Sequence, residues 1–160
     1  MTDIRQARSD DFFPWLTLYE GYASFYRRPL TDERSVQTWQ WITNGEHGLR
    51  AFVVEGDDSD GSLVGLAHVR TIARPLEGTT GLYLDDLYIA ERARGRGLAT
   101  ELLAFLRTLA ASEGHSGVSW ITAEDNETAQ HVYDRVATRT TWVTYEMAAT
   151  PAPAGTTGQQ

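Results

Sequence analysis

A basic turn lies in the middle of an otherwise acidic chain. Segment 92–97 contains three arginines and two glycines, although the chain has a formal net charge of −8. An apolar helical pattern begins directly afterwards, and a helix start leaves about four unpaired N–H groups at the positive end of its dipole. Because glycine has no Cβ, a phosphate or diphosphate could reach these groups. The candidate anion-binding residues are Arg94, Gly95, Arg96, Gly97, Leu98, Ala99 and Thr100.

Two familiar phosphate-binding motifs fit this turn poorly. A P-loop requires Lys followed by Ser or Thr after its second glycine, and neither is present. The dinucleotide fingerprint requires glycine or alanine at position 100, where Thr100 stands. Two interpretations of the turn alone therefore stay open, an anion site and a solvated loop that only starts a helix. A module that binds ATP or NAD at the turn remains a rival function.

The composition restricts the class of protein and its compartment. A length of 160 residues suits one domain, which we expect over 1–147, followed by a disordered tail over 148–160. The acidic balance argues against nucleic acid as the main partner. The absence of cysteine, of a signal-like apolar start and of any stretch long enough to span a membrane predicts a cytoplasmic protein without membrane contact. The four histidines lack ligand spacing, so no metal is expected.

The elements that must position the turn can be predicted from hydrophobic periodicity. Apolar residues recur with helical spacing over 12–26, 32–44, 98–113 and 125–137. Strand patterns occupy 4–8, 49–55, 62–72, 82–89, 117–123 and 138–147. The resulting order, β-α-α-β-β-β-α-β-α-β, predicts a mixed α+β sheet with helices on both faces.

Two motifs in this order resemble those of a known family. "RGRGLATELL" resembles the acyl-CoA signature of the GCN5-related N-acetyltransferase (GNAT) superfamily, with Arg94, Gly97 and Ala99 in its three fixed places. "WITAEDNETAQHVYDRVA" resembles the second motif of that superfamily, a strand followed by Asn126 and a helix that carries Tyr133. The resemblance covers roughly residues 50–147. It implies the acyl-CoA N-acyltransferase fold, a mostly antiparallel sheet that splays between its fourth and fifth strands.

The resemblance also implies a reaction, which is direct transfer of acetyl from acetyl-CoA to a primary amine in a ternary complex. The backbone amides of 94–100 would bind the diphosphate, and Leu87, Tyr88 and Ile89 would orient the pantetheine arm and the thioester. Asn126 would bond the pantetheine amide, although it also suits an ordinary helix N-cap. Tyr133 would protonate the leaving thiolate, and its alternative role is core packing.

The amine site is less defined by the sequence. The motifs look closest to the diamine and polyamine branch, in which Asp85 aligns with a carboxylate that acts as a base, here through a water molecule. Glu124 and His68 are rival bases, and a lone histidine in a strand is more often structural. Strict alternation along the strand would put Asp85 and Asp86 on opposite faces, so that only one faces the site.

Aromatic residues of the first helix are the remaining candidates for the amine site. Tyr19, Tyr22 and Tyr26 could line an acceptor cleft through cation–π contacts, or serve the core and a dimer contact instead. A homodimer is expected from the resemblance. Two rival functions stay open beside a small-molecule acetyltransferase, namely a catalytically silent acyl-CoA-binding sensor domain and an acetyltransferase for protein or peptide amines.

Overall fold

A computed structural model describes residues 2–57 and 61–151, and its elements follow the predicted order up to the last helix. Short 3-10 turns precede α1 and β2 and follow β4. The mixed α+β architecture is therefore confirmed. The elements are β1 (Ile4–Gln6), α1 (Phe12–Phe25), α2 (Asp32–Asn44), β2 (Leu49–Glu55), β3 (Leu63–Arg74), β4 (Thr79–Ile89), α3 (Leu98–Ser112), β5 (Val118–Ser119) and α4 (Glu127–Val136).

The five strands form one sheet in the order β1-β2-β3-β4-β5. The first four are antiparallel to their neighbours, whereas β5 runs parallel to β4. The β4–β5 pairing consists of Leu82 with Val118 and Tyr83 with Ser119, and it ends there among the described residues. The C-terminal half of β4 therefore separates from β5, which confirms the predicted splay and opens a gap in the sheet.

Helices cover both faces of the sheet because the central strands bury both of their faces. In β2, Ala51 and Val53 pack against α1 and α2, whereas Phe52 and Val54 pack against α3. Buried Trp15 anchors the α1 side. The α3 side is formed by helix residues at i, i+4, i+8 and i+12, which are fully or nearly fully buried: Leu98, Leu102, Leu106 and Ala110.

The ends of two helices follow the signals expected from the sequence. The Thr31 hydroxyl accepts the Arg34 N–H at 3.3 Å and so caps α2. Gly45 follows the helix in the left-handed conformation, with φ of 65°. These caps fix where α2 starts and stops. They thereby fix how α2, together with α1, covers β3 and β4 with aromatic side chains.

The C-terminal end of the chain differs from the sequence prediction. Residues 137–151 form no helix or strand, so the closing strand expected over 138–147 is wrong for a single chain. Strand β5 is also shorter than the expected 117–123. Residues 148–151 of the expected tail are exposed, and 152–160 lie outside the described residues. Among the helices that are described, none is long and apolar enough to cross a membrane.

Candidate active site

A groove of about 610 Å³ occupies the gap between β4, the start of α3 and α4. It follows directly from the splay, because the unpaired half of β4 forms one wall and α4 forms the other. The structure brings together on this groove every residue expected to bind the cofactor except Arg96. They are Leu87, Tyr88, Ile89, Arg94, Gly95, Gly97, Leu98, Ala99, Thr100, Asn126 and Tyr133.

The glycine turn presents open backbone to this groove. Gly95 and Gly97 have φ of 75° and 82°, a conformation that residues with a Cβ rarely adopt. No heavy atom lies within 4 Å of where a Cβ would stand at either position. Gly97 is the N-cap of α3, so the first N–H groups of the helix have no carbonyl of their own helix to bond. The turn therefore offers free space and aligned donors to an anion.

The arginines of the turn have different tasks. Arg94 donates from Nε to the Ile89 carbonyl at 3.1 Å, and its guanidinium lies 5.5 Å from the Phe25 ring centre and 5.6 Å from that of Tyr88. These contacts hold its positive charge at the groove. Arg96 instead pairs with Asp57 and does not line the groove, so its expected contact with the cofactor is absent from this geometry.

Replacing Gly97 by alanine should weaken acetyl-CoA binding by about tenfold or more, because its methyl group enters the open space through which an anion reaches the backbone. Gly114→Ala is the matched control, since Gly114 has φ of 76° and equally open surroundings at the other end of α3. Calorimetric titration with acetyl-CoA measures the difference. Equal affinity of the two variants would contradict an anion site at this turn.

Helix α4 contributes two polar groups to the groove. The Asn126 side chain accepts the Ala129 N–H at 3.4 Å, so it caps the helix, and its Nδ2 donates to the Tyr26 hydroxyl at 3.3 Å. The Tyr133 ring packs edge-on against Trp120 at 5.3 Å. Burial raises the pKa of Tyr133 to about 12, with a smaller contribution from Tyr26. Tyr133 therefore keeps its proton at neutral pH, as a proton donor must.

A second cleft of about 890 Å³ lies on the α1 side of the sheet. It is lined by Tyr19 and Tyr22, two of the expected acceptor residues, and by both Asp85 and Asp86. The third expected residue, Tyr26, lines this cleft and the groove alike. The groove and the cleft therefore share Tyr26. Next to this residue, a molecule bound in the cleft could react with a molecule bound in the groove.

A β-bulge explains why both aspartates reach the cleft. His68 pairs with Asp86 and Val69 pairs with Leu84, so Asp85 is an extra residue without a partner in β3. A bulge interrupts the alternation of side chains and re-aims them. The expectation that only one of the two aspartates faces the site is therefore wrong, since strict alternation does not hold at this point of β4.

The two aspartates have different surroundings. Asp85 is more exposed and accepts a hydrogen bond from Arg70 Nε at 2.9 Å. Asp86 bonds His68 Nδ1 at 2.7 Å and also accepts hydrogen bonds from Tyr19 and Tyr22. Burial raises the pKa of Asp86, but the hydrogen bond and electrostatic attraction from His68, with smaller contributions from Tyr22 and Tyr19, outweigh burial and hold it below its usual range. Asp86 is therefore a carboxylate at neutral pH.

The pKa values of the two tyrosines beside Asp86 shift in the opposite direction, upwards. Burial, reinforced by the negative charge of Asp86, raises the pKa of Tyr19 to about 12 and that of Tyr22 well above its usual range. Both hydroxyls are consequently protonated donors. Glu124, the other expected carboxylate, is exposed and lines neither cavity. The described residues contain no group of three or more His, Asp or Glu side chains able to hold a metal.

Several lining residues were missed by the sequence analysis. Thr128, Val132 and Arg135 line the groove, and their i, i+4 and i+7 spacing on α4 could have identified them. The sequence analysis expected only one of the two aspartates at the site because the bulge has no recognisable sequence signal here. His68 was treated as a lone histidine, since its contacts come from residues remote in sequence.

The comparisons with known proteins agree with this geometry. A model of the acetyltransferase (GNAT) family matches residues 15–137. The D-amino-acid N-acetyltransferase of Saccharomyces cerevisiae is 29% identical over 146 residues, which cover 89% of this chain and 88% of that protein.

Solved structures of low sequence identity share the fold. A probable acetyltransferase superposes with a TM-score of 0.82 at 22% identity and covers 94% of this chain and 99% of its own. The aminoglycoside acetyltransferase AAC(6')-Iy, in complex with a bisubstrate analogue of CoA and acetylneamine, has a TM-score of 0.78 at 19% identity, covering 94% and 99%. Both support the fold assigned from the strand order.

Proposed function

This chain belongs to the acetyltransferase (GNAT) family and is an acetyl-CoA-dependent N-acetyltransferase; we propose that its acceptor is a small primary amine that carries positive charge. The observation on which the acceptor class rests is Asp86, a carboxylate set among tyrosines in the cleft that adjoins the groove. Asp86 is partly buried, and a carboxylate in such a place favours a cation as its partner, while aromatic faces add cation–π attraction.

Acetyl-CoA fits the groove by the chemistry of its residues. The open backbone of Gly95 and Gly97, the N–H groups that start α3 and the charge of Arg94 suit the diphosphate. Leu87, the first groove residue of β4, directly follows Asp86 along the strand. Bound acetyl-CoA supplies the activated acyl group, and backbone groups of 87–89 would orient the thioester.

The transfer forms a bond between the amine nitrogen and the acetyl carbon and breaks the bond between that carbon and sulfur. The amine must lose a proton, and we assign its acceptance to Asp85, the more exposed aspartate, through a water molecule. The sulfur must gain a proton, and we assign its donation to Tyr133, which lines the groove and stays protonated. Glu124 has no place in this scheme because it lines neither cavity.

Two acceptor chemistries compete for the cleft. A diamine or polyamine suits Asp86 and the tyrosines, since one ammonium can bind while another amine reacts. An amino acid is the second candidate because Arg28 and Arg34 also line the cleft and could bind its carboxylate. The relative that acts on D-amino acids supports that candidate.

Release of free thiol from acetyl-CoA tests the proposal with a panel of diamines, polyamines, D-amino acids and L-amino acids. We expect turnover with at least one of the first three classes and a rate that saturates with the amine. Turnover confined to diamines and polyamines would exclude the amino-acid alternative. Turnover confined to amino acids would exclude diamines and polyamines. Acetylation of protein lysines alone would contradict a small-molecule acceptor.

We further propose that the chain works as a homodimer in the cytoplasm, a compartment that suits a sequence without cysteine. The sequence predicts a strand over 138–147, but this segment pairs with no strand among the residues that the structure describes. Its large apolar side chains are left in solvent: Trp142 is 89% exposed, Val143 72%, Tyr145 89% and Met147 97%. Strand β5 is a short sheet edge. If each copy added its segment 138–147 to the β5 edge of the other copy, the exposed apolar side chains and the sheet edge would both be covered.

Contacts at the start of this segment hold it to α4. Arg107 donates to the Val136 carbonyl, and Arg139 donates to Gln130 Oε1 at 2.6 Å and lies 3.8 Å from Asp134. These bonds fix the exit from α4, where Ala137 is extended with φ of −143° and ψ of 174°. Extended backbone with exposed apolar side chains is the form that a strand partner accepts.

The double substitution Trp142→Ser with Tyr145→Ser should shift the protein from dimer to monomer, because it removes the apolar contacts of the added strand. Light scattering after size-exclusion chromatography measures the mass directly. Leu76→Ser is the control, since Leu76 is 96% exposed but lies in the β3–β4 turn. A monomeric unaltered protein, or a dimer that survives the double substitution, would contradict the strand exchange.

A further inference from the structure

We infer that Trp15 and His68 are positioning residues that keep Asp86 an uncompensated anion, and thereby give the cleft its preference for cationic acceptors. The inference rests on the proposed function and names a task for two buried residues that the transfer itself does not use. Trp15 is fully buried and His68 is 1% exposed, yet the two form a polar contact with each other.

The first step is the tautomer of His68. The indole Nε1–H of Trp15 lies 2.9 Å from His68 Nε2. An indole nitrogen can only donate, so Nε2 must accept and carries no proton. The remaining proton of the neutral ring is on Nδ1, which lies 2.7 Å from Asp86 Oδ2 and donates to it. The Trp15 contact therefore selects the neutral Nδ1–H form.

The second step is the charge of Asp86. With His68 in the neutral form that the Trp15 contact selects, the groups that act on Asp86 are His68 Nδ1–H and the hydroxyls of Tyr19 and Tyr22, and none of them carries a charge. Three donors directed at one carboxylate stabilise its ionised form. The nearest cationic side chain in the strand pair, Arg70, bonds Asp85 instead. Arg28 and Arg34 line the same cleft, but no arginine among the described residues forms an ion pair with Asp86, so its negative charge stays available to an acceptor.

A charged histidine at the same place would have the opposite effect. If Nε2 were protonated, His68 and Asp86 would form an ion pair of zero net charge, and the attraction of the cleft for an ammonium group would fall. Trp15 prevents this because its N–H occupies the only free nitrogen. The contact between α1 and β3 therefore acts on acceptor binding without touching the acceptor.

Nitrogen-15 NMR of histidine tests the first step without any acceptor. At pH 7.5 the His68 signals, assigned by their loss in His68→Asn, should be those of a neutral ring protonated on Nδ1. In Trp15→Phe, which keeps an aromatic ring but no N–H, this single form should be replaced by a mixture that includes protonation on Nε2. A ring already protonated on Nε2 in the unaltered protein would overturn the inference, whatever the activity.

Two amide variants of His68 separate positioning from packing. Asparagine places its amide near the Nδ1 position and can still donate to Asp86, whereas glutamine extends to the Nε2 position and contacts Trp15 instead. We expect His68→Asn to retain the KM for a diamine within about threefold and His68→Gln to raise it about tenfold, as for one lost charge-assisted hydrogen bond. The KM for acetyl-CoA should not change in either.

Equal effects of His68→Asn and His68→Gln on the amine KM would contradict the positioning role. If His68 only filled space, it would not matter whether the amide replaced Nδ1 or Nε2. The same result would leave the proposed function intact, provided that the unaltered protein acetylates amines. Conversely, an unaltered protein that acetylates no cationic amine but shows the Nδ1–H tautomer would contradict the proposed acceptor class alone.

Discussion

Replacing Asp86 by asparagine should lower kcat/KM for a cationic amine by about 100-fold, mainly through a higher KM for that amine. Truncation of one partner of a buried charge pair typically costs about 2–5 kcal/mol, and about 2.7 kcal/mol corresponds to 100-fold. The substitution keeps the shape of the side chain and removes its charge. Steady-state kinetics with varied amine and saturating acetyl-CoA measures the change.

Two further variants isolate the effect of this charge. Asp10→Asn makes the same change in net charge at an exposed position and should leave the kinetics unaltered. Asp85→Asn should act mainly on kcat, because we assign Asp85 to proton removal. If Asp86→Asn changed kcat alone, or acted no more strongly than Asp10→Asn, the assignment of Asp86 as the ammonium partner would be wrong.

The direction of the pKa shift of Asp86 also fixes a pH window. Its pKa in the folded protein lies below the usual value, so ionisation of Asp86 stabilises the fold above the usual pKa of an aspartate, about 3.9. This stabilisation is lost as the pH falls through the lower, folded value. Binding of the cationic amine should therefore not weaken between pH 8 and pH 5 through protonation of Asp86.

Tyr133→Phe should lower kcat by about 100-fold while acetyl-CoA binding stays within about twofold, since general acid catalysis contributes about 10²–10⁴. Phenylalanine retains the packing against Trp120 and removes only the hydroxyl. Rapid measurement of thiol release gives kcat, and calorimetry gives the affinity.

Tyr83→Phe provides the control for Tyr133→Phe, because Tyr83 lies on β4 outside both cavities. The centre of its ring is 4.8 Å from the guanidinium carbon of Arg70. It should leave kcat unchanged. An unchanged kcat in Tyr133→Phe would remove Tyr133 from the proton transfer and leave it a packing residue.

The glycine turn and the helix ends could be predicted because their signals are local. Gly97 before the apolar helix and the Thr31 cap of α2 depend on backbone conformations that only a few residue types favour. The splay that opens the groove was implied instead by the family resemblance, and in the structure β5 pairs with β4 over only two positions and leaves β4 open beyond Tyr83.

The acceptor cleft could not be predicted in the same way because its contacts are remote in sequence. Trp15 and His68 are separated by 53 positions, and nothing in either segment indicates the other. The bulge at Asp85 shifts the register by one residue, so that both Asp85 and Asp86 line the cleft. The pattern over 138–147 indicates a strand, but a strand forms only where it pairs with a sheet edge, and this segment pairs with none among the described residues.

A crystal structure of the protein with coenzyme A and a non-reacting diamine would test the central claim most directly. We predict that the diphosphate lies against the backbone N–H groups between Gly95 and Thr100, and that an ammonium nitrogen lies within about 3 Å of an Asp86 oxygen. A diphosphate bound anywhere else, or an amine that contacts neither Asp86 nor Asp85, would contradict the proposed arrangement of the two cavities.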